Sequence, residues 1–476
     1  MNAEEIKAEA RRIKTFRHEY IPDGLSMGSD PEFIVTTPSG KTFPSDIFLP
    51  AQKAPLVPCP YGCGARMNLD DPFECPRCGG RACYTYDQAK LERGSVQIDD
   101  NTSARCHRPE VWLYNDGRQA EAGMHPVTCR EYFCRDIAHI VNGLAHAVTD
   151  FNKQTNRALH LSTVDGAPIT QGMIDRAGDG SKVSGCYPDF CAYNPDIPNE
   201  GVADWGHHLY TYAGFHNHAS NENLERLSSG FRSGDEKLTE EFTDRIKILD
   251  RTCGLVSTFM SVGSGGKERR TAGYGRAGCF RAPKHGLEYR VPGGSLLRSP
   301  EIVSIVTGMM RYVNLDVSIM KAIFEILPDH DEVREAIDTN NRAKALELFR
   351  KLIPLFVECN AWYSSPVAYR PPEMLAGLGS DFTPLFALLF LAERVDDIYA
   401  ETTGDGLLKQ WYALNPIDSP RPGRPYGSHA RYKSYTSYNS SRPNGVITGF
   451  QRLLRESAIK ADYDRFAASE EKNLKG

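Results

Sequence analysis

Residues 285–292 read HGLEYRVP and alternate charged with apolar side chains, as in a half-buried strand. With this alternation, Glu288 and Arg290 share one face, and the apolar side chains between them take the other. A carboxylate is a hard oxygen ligand of the kind that binds Mg²⁺, and a guanidinium forks onto phosphate oxygens. The segment therefore predicts a strand that holds a metal and a phosphate side by side, with a surface ion pair as the alternative.

A second segment with the same alternation is GFHNH at residues 214–218, which follows Tyr210 and Tyr212. A strand through this segment puts His216 and His218 on one face. Two imidazoles on one face can bind a metal or a phosphate. The alternative is a pair of polar side chains that are satisfied by hydrogen bonds near a strand end.

Two shorter segments carry a carboxylate in a similar setting. Residues 28–33, GSDPEF, and residues 116–122, DGRQAEA, each place a glutamate on a short strand beside a glycine-containing turn. These glutamates are Glu32 and Glu121, and a solvated side chain is the alternative for each because turns are rich in such residues. Pro31 predicts that the first strand starts there or lies at a sheet edge, since proline cannot donate a ladder hydrogen bond.

Residues 263–281 form a glycine-rich basic run that contains Arg270, Arg276 and Arg281. Glycine lets the backbone approach an anion, and the cationic side chains attract it. The run lacks the Gly-x-x-x-x-Gly-Lys-Ser/Thr pattern of a P-loop. It predicts an anion-binding segment of another type, or else a flexible solvated loop.

Two cysteine pairs interrupt the strand pattern between the first two acidic segments. Their spacing is Cys59-x₃-Cys63 and Cys75-x₂-Cys78, and each pair lies in a knuckle-like turn. Thiolates in this arrangement suit tetrahedral structural Zn²⁺, and such a site leaves no open position for catalysis. Cys83 is a substitute ligand. Disulfides are the alternative, which a reducing compartment disfavours.

Composition excludes several classes of protein. The 476 residues carry a formal net charge of −5, so no global positive field favours nucleic acid. The polar residues 1–17 do not resemble a signal peptide, and no apolar run reaches membrane-spanning length. The 13 cysteines are therefore expected in a reducing cytoplasm. Only the tyrosine- and arginine-rich residues 421–442 suggest nucleic-acid binding, and a solvated linker is the alternative there.

The order of elements favours an α+β protein with an antiparallel sheet, because strands with interspersed helices come first and helices follow alone. A capping box at residues 128–131 opens one helix, a second is predicted at about residues 239–259, and Pro300 begins a third. The predicted parts are an N-terminal extension (1–25), a sheet core (26–300) with a zinc-ribbon insert (55–84), a helical part (301–415), a linker (416–446) and a C-terminal helix (447–476).

In their order along the chain, these segments resemble the phage-type carboxylate–amine ligases, the amidoligase type 2 family of the glutamine synthetase and glutamate–cysteine ligase-like superfamily. The resemblance covers roughly residues 26–300 and includes GCYPDF at residues 185–190, where Tyr187 departs from the family's Gly-Cys-Asp-Pro-Asp. It implies a glutamine synthetase-like antiparallel sheet with helices packed on one side. It also implies a viral or prophage origin and activity in the cytoplasm of a bacterial host.

The resemblance also implies roles for individual side chains and two or more Mg²⁺ ions with ATP. The implied ligands of Mg²⁺ or of nucleotide phosphates are Glu32, Glu121, His216, Glu288 and, beside them, His218. The implied catalytic residues are Glu32, Glu121, Glu288 and Arg290. Among these, Arg290 stabilises the transferred phosphoryl group, while Arg270, Arg276 and Arg281 bind phosphate or carboxylate. The implied substrates are a carboxylate and an amine, as a peptide or as small molecules.

The chemistry of such a ligase suits these residue types independently. A carboxylate does not react with an amine at neutral pH, because its leaving group is poor. Phosphorylation by ATP makes an acyl phosphate, from which the amine displaces phosphate. Transfer of a phosphoryl group between two anions needs positive charge at the transferring oxygens, which Mg²⁺ and arginine supply.

Two other functions stay open on the sequence alone. A metal-dependent hydrolase would use His216, His218 and a glutamate on Zn²⁺ or Mn²⁺, without ATP. The arginine- and glycine-rich run beside Glu288 favours the ligase, since hydrolysis of a neutral bond needs less phosphate-binding charge. The third function is that of a binding or structural phage protein whose zinc ribbon contacts a partner.

Overall fold

The computed structural model describes residues 25–49, 56–58, 66–68, 111–124, 126, 130–175, 189–199, 209–298, 300–315, 317–356 and 392. The predicted zinc ligands, which lie outside the described residues, are Cys59, Cys63, Cys75 and Cys78. Residues 1–24, the linker 416–446 and the C-terminal helix 447–476 also lie outside them. The predictions for these segments therefore stay predictions.

The strands form one large antiparallel sheet and two small ones. The strands are β1 (Ser26–Thr36), β2 (Leu56–Pro58), β3 (Arg66–Asn68), β4 (Val111–Asp116), β5 (Gln119–Met124), β6 (His160–Ser162), β7 (Gly166–Pro168), β8 (Asp189–Cys191), β9 (Asn194–Asn199), β10 (Tyr210–Tyr212), β11 (Phe215–Ser220), β12 (Cys279–Arg281) and β13 (Leu287–Tyr289). The large sheet has the order β4-β5-β1-β11-β13-β12-β8-β9, with β6 also paired to β1, while β7 pairs with β10 and β2 with β3. The predicted α+β class with an antiparallel sheet is confirmed.

The helices follow and interrupt these strands. They are α1 (Arg130–Thr155), α2 (Gln171–Ile174), α3 (Glu222–Ser233), α4 (Glu236–Leu249), α5 (Leu255–Phe259), α6 (Gly265–Thr271), α7 (Pro300–Leu315), α8 (Val317–Ile326), α9 (His330–Asp338) and α10 (Arg342–Lys351). The start of α7 at Pro300 confirms the prediction for that residue. Among the described residues, no helix combines the length and the apolar character needed to cross a membrane.

One face of the large sheet is apolar and lies against helices. Phe215 of β11 and Phe280 of β12 are fully buried. Their rings meet Phe133 of α1 and Phe242 of α4, with ring centroids 6.2 Å and 5.5 Å apart. Burial of each such side chain favours folding by about 1.5–3 kcal/mol. Because helices cover this face, the opposite face is left for polar side chains.

The helix predicted from the capping box is confirmed as α1. Its apolar side chains recur at helical spacing, so one stripe of the helix faces the sheet. The side chains of this stripe are at most 4% exposed and belong to Phe133, Ile137, Ile140, Val141, Leu144 and Val148.

The helix predicted at about residues 239–259 is interrupted. A π turn, Asp250–Gly254, separates α4 from α5. Phe242 of α4 and Cys253 within the π turn are nevertheless both fully buried. A π turn adds one residue to a helical turn, and here it lets the buried Asp250 accept a hydrogen bond from Tyr289 Oη at 2.7 Å.

The prediction that Pro31 starts its strand or lies at an edge is wrong. β1 begins at Ser26 and lies between β11 and β5. Pro31 is the last residue of β1 to pair with β11, opposite Phe215, and Glu32 is the first to pair with β5, opposite Glu121. The missing N–H of proline therefore falls where one ladder gives way to the next, and there it is tolerated.

Candidate cation site on the polar face

Strand register decides which ionisable side chains meet on the polar face of the sheet. Glu32 of β1 lies opposite Glu121 of β5. Two residues earlier, Asp30 lies opposite His216 of β11. Because directly opposite residues point to the same face, these four side chains converge although they come from three separate strands.

A group of three carboxylates lies at the β5 end of this face. Glu32, Asp116 and Glu121 each offer an oxygen within 4.8 Å of those of the other two. Burial and then Glu32 raise the pKa of Asp116 to about 6, and burial and then Asp116 raise the pKa of Glu121 well above its ordinary value. Tyr114 donates to Glu121 Oε1 at 3.1 Å, which compensates only part of this charge. This three-carboxylate group is therefore suited to a cation.

A second group, the histidine group, consists of Asp30, His218 and Glu288, whose ligand atoms also lie within 4.8 Å of one another. His218 Nε2 lies 3.0 Å from Asp30 Oδ1, and its Nδ1 lies 3.2 Å from His285 Nε2. Although burial opposes ionisation, Asp30 raises the pKa of His218 to about 9, and His218 in turn holds the pKa of Asp30 well below its ordinary value. Burial and then His218 lower the pKa of His285 to about 4, so His285 is neutral.

Arginine and carboxylate side chains alternate at the β8 end of the face. Arg290 donates to Glu288 and lies 3.1 Å from Asp189 Oδ1. Arg281 donates to the same Asp189 oxygen at 2.9 Å and lies 3.6 Å from Glu288 Oε1. Although burial opposes it, Arg290 holds the pKa of Glu288 at about 2. Glu288 is therefore ionised, with a fixed positive charge beside it.

Tyr274 reaches the site from the glycine-rich run between α6 and β12. Its hydroxyl lies 2.8 Å and 2.9 Å from the two carboxylate oxygens of Glu32, and 2.7 Å from His216 Nε2. The backbone N–H of Gly214 donates to Glu32 Oε2 at 2.5 Å. Glu32 is thus bonded from two sides while it faces the other carboxylates.

The structure brings most of the predicted site residues together on this face. The residues that converge are Glu32, Glu121, His216, His218, Arg281, Glu288 and Arg290. His216 is in the cluster, but its Nε2 contacts Tyr274 and its Nδ1 lies 3.3 Å from Arg290 Nη1. It therefore contacts protein groups through both ring nitrogens.

The role of Arg270 and Arg276 as cofactor-binding residues stays a prediction, and in the structure both contact groups of the protein itself. The buried guanidinium of Arg270 donates to the carbonyl of Gly275 and lies 3.4 Å from the hydroxyl of Thr258. Arg276 donates to the carbonyls of Arg270 and Thr271 at 2.9 Å and 3.4 Å. These contacts with main-chain carbonyls stabilise the glycine-rich run.

Sequence reasoning did not assign several residues of the site. Asp30 carries a usable signal, since it shares the strand alternation with Glu32. Asp189 was expected only from the resemblance, and it bonds both Arg281 and Arg290. Tyr274 carries no local signal, because its role depends on a loop that crosses the face of the sheet.

Comparisons of the chain with models of protein families and with curated proteins find no match.

Proposed function

We propose that this protein is an enzyme that couples ATP cleavage to the joining of a carboxylate and an amine. Within that class, we propose a member of the amidoligase type 2 family with a glutamine synthetase-like sheet. The proposal is carried by one observation: Glu32, Glu121 and Glu288 converge on one face of an antiparallel sheet beside Arg290. These are the residues that the resemblance names as catalytic.

The donor set of this face fits divalent cations. Carboxylate oxygens and an imidazole are ligands of Mg²⁺ and Mn²⁺. The raised pKa values of Asp116 and Glu121 indicate negative charge with too little compensation, which a cation would supply. We propose one Mg²⁺ in the three-carboxylate group and another at Asp30 and Glu288, the two carboxylates of the histidine group, where the cation would displace the proton of His218. When bound, ATP and Mg²⁺ would supply the phosphoryl group and the positive charge that convert a carboxylate to an acyl phosphate.

The arginines are proposed to act on the anionic groups of the reaction. Arg290 is fixed between Glu288 and Asp189, so its guanidinium is oriented before substrate binds. Arg281 lies beside it and is bonded to Asp189. A preorganised charge of this kind stabilises a transferring phosphoryl group, and removal of one such contact typically costs about 3 kcal/mol in the transition state.

The test is condensation of acids with amines by the full-length protein. It is incubated with ATP, Mg²⁺ and pools of carboxylic acids and amines, and ADP and condensed products with loss of water are measured by mass spectrometry. Glu288→Gln should abolish both signals while the protein stays folded, because Asp189 still neutralises Arg290. Glu240→Gln, an exposed glutamate of α4, is the matched control and should leave both unchanged. Normal coupling by Glu288→Gln would refute the catalytic role.

A metal-dependent hydrolase is the second candidate, and the histidine group favours it. Asp30, His218 and Glu288 combine one imidazole with two carboxylates, a ligand set that is also found around hydrolytic metals. The two functions differ in their need for nucleotide. A hydrolase would cleave an amide or ester with Zn²⁺ or Mn²⁺ and without ATP, whereas the ligase forms ADP only when both substrates are present.

A further inference from the structure

We propose that Tyr274 is a positioning residue that orients Glu32 as a cation ligand, and that His216 serves the same chain of hydrogen bonds rather than binding the metal. The inference rests on the proposed cation site. It assigns a role to the glycine-rich run that the proposed function leaves open, and it changes the role expected of His216.

The turn that carries Tyr274 has a shape that depends on glycine. Gly273 and Gly275 flank the tyrosine with φ angles of 89° and 65°, in the region that disfavours other residues. A Cβ at Gly275 would lie 2.3 Å from Nη1 of Arg269. The turn therefore brings the backbone close to this arginine and points the tyrosine across the sheet.

Arg269 holds the ring of Tyr274 in place. Its guanidinium carbon lies 4.6 Å from the centre of the ring. The same guanidinium donates to the carbonyls of Arg290, Val291 and Pro292 at 3.2, 2.9 and 3.1 Å. Because Arg269 is 1% exposed and bonded to the segment that follows β13, it connects Tyr274 to the part of the chain that carries Glu288 and Arg290.

The donor and the acceptor of each hydrogen bond between Arg290, His216, Tyr274 and Glu32 can be assigned from the neighbouring groups. Arg290 Nη1 has only hydrogens to offer and is closer to His216 Nδ1 than Asp30 Oδ2 is, at 3.3 Å against 3.5 Å, so Nδ1 accepts from Arg290. In the neutral imidazole the proton is then on Nε2, which donates to Tyr274 Oη at 2.7 Å. The phenol hydrogen is left for Glu32, whose oxygens lie 2.8 and 2.9 Å away. The direction of donation is therefore Arg290 to His216 to Tyr274 to Glu32.

This series of hydrogen bonds leaves Glu32 available to a cation and His216 unavailable. A carboxylate has about four acceptor positions. Tyr274 and the N–H of Gly214 occupy some of these positions, and the remaining ones face Asp116 and Glu121. Both nitrogens of His216 are engaged, so the imidazole has no lone pair left for a metal. Groups that hold a ligand in this way commonly change metal affinity about 10–100-fold when they are lost.

The test is titration of the full-length protein with Mn²⁺ alone, with free Mn²⁺ followed by electron paramagnetic resonance. Tyr274→Phe keeps the ring over Arg269 and removes the hydroxyl, and we expect at least about tenfold weaker binding. Tyr193→Phe is the matched control, because its ring lies against His330 and Arg334 and away from the cluster. It should bind Mn²⁺ as the unmodified protein does.

His216→Gln provides a second variant in case Tyr274→Phe unfolds, which near-ultraviolet circular dichroism reports. The double variant Tyr274→Phe/His216→Gln should lose no more Mn²⁺ affinity than the weaker-binding of the two single variants, because both residues belong to the same series of hydrogen bonds. Additive losses would make His216 an independent ligand and overturn the inference. Unchanged or tighter binding by Tyr274→Phe would also overturn it while leaving the cation site intact. Absence of Mn²⁺ binding by the unmodified protein would instead remove the cation site, and the inference with it.

Discussion

At Gly214 the backbone lies very close to the side chains of the site. A Cβ at this position would lie 2.3 Å from His216 Nε2, far inside van der Waals contact. The N–H of the same residue donates to Glu32 Oε2 at 2.5 Å. A side chain here would therefore displace the imidazole and loosen the carboxylate together.

We expect Gly214→Ala to weaken Mn²⁺ binding by about tenfold or more, because it disturbs two linked groups around the cation ligands. The matched control is Gly28→Ala in β1, on the strand face that also carries Asp30 and Glu32. A Cβ at Gly28 would make an ordinary contact with His218 Cβ at 3.8 Å. Mn²⁺ affinity and thermal unfolding of both variants are measured. Equal losses of affinity would show that the close approach at Gly214 has no special role.

Strand β13 carries residues of the packed core and a residue of the proposed cation site within three positions. Leu287 and Tyr289 are fully buried on the apolar face, and Glu288 is 4% exposed on the polar face. The alternation that gives this strand two faces was predicted from the sequence, and the structure confirms it. Substitutions of neighbouring residues in β13 should therefore have opposite effects, one mainly on stability and the other mainly on cation binding.

Leu287→Ala should lower the free energy of unfolding by about 2–5 kcal/mol, because it leaves a cavity in a packed core. The protein that stays folded should bind Mn²⁺ with unchanged affinity. Glu288→Gln should instead weaken Mn²⁺ binding and lower the free energy of unfolding by less than Leu287→Ala does. Urea unfolding and Mn²⁺ titration of both variants decide this. Equal effects of the two substitutions on binding would show that the faces are not independent.

The π turn places an unusual carboxyl group behind the site. Burial raises the pKa of Asp250 to about 7. Its Oδ1 accepts from Tyr289, while its Oδ2 has no hydrogen-bond partner within the part of the chain that is described. The other groups that face it are Tyr193, Asp338 and Arg251. Burial raises the pKa of both tyrosines, so the phenols stay protonated.

This carboxyl should make stability fall as pH rises. An unfolded chain releases the proton near pH 4, whereas the folded protein keeps it until about pH 7. The contribution of the protonated group is thus complete below pH 4 and is lost as pH rises to about 7, by up to about 1.4 kcal/mol per pH unit. Asp250→Asn should remove this slope. Urea unfolding of both proteins from pH 4.5 to 8 tests it, and parallel pH profiles would contradict it.

At the scale of the whole molecule, the sequence predicts a zinc-ribbon insert at residues 55–84 of the sheet core. β2 and β3 pair antiparallel, and the segment between them carries Cys59 and Cys63 in the sequence. All four cysteines lie outside the described residues, so their role as zinc ligands is still a prediction.

Cys75→Ser should release zinc and lower the thermal midpoint, because loss of one thiolate opens a closed tetrahedral site. Cys191→Ser, at a partly exposed free thiol of β8, is the matched control and should keep its zinc. Metal content is measured by mass spectrometry of the purified proteins. Equal zinc in the two variants would remove the zinc-ribbon assignment.

Much of the fold and part of the site could be predicted because their signals are local. The alternation around Glu288 and around His216 specifies two-faced strands, and the apolar stripe from Phe133 specifies a helix. Such patterns are written in neighbouring residues. The position of Pro31 inside β1 could not be predicted, because it depends on which strands lie on either side.

By itself, the sequence determined the strand faces, the α+β class and the identity of Glu32, Glu121, Glu288 and Arg290 as candidates. Only the tertiary structure decided that Asp30, Asp189 and Tyr274 join them. The reason is physical: alternation along a strand is set by backbone geometry within a few residues. Convergence across strands is set by register and by loops that bring together residues distant in the chain.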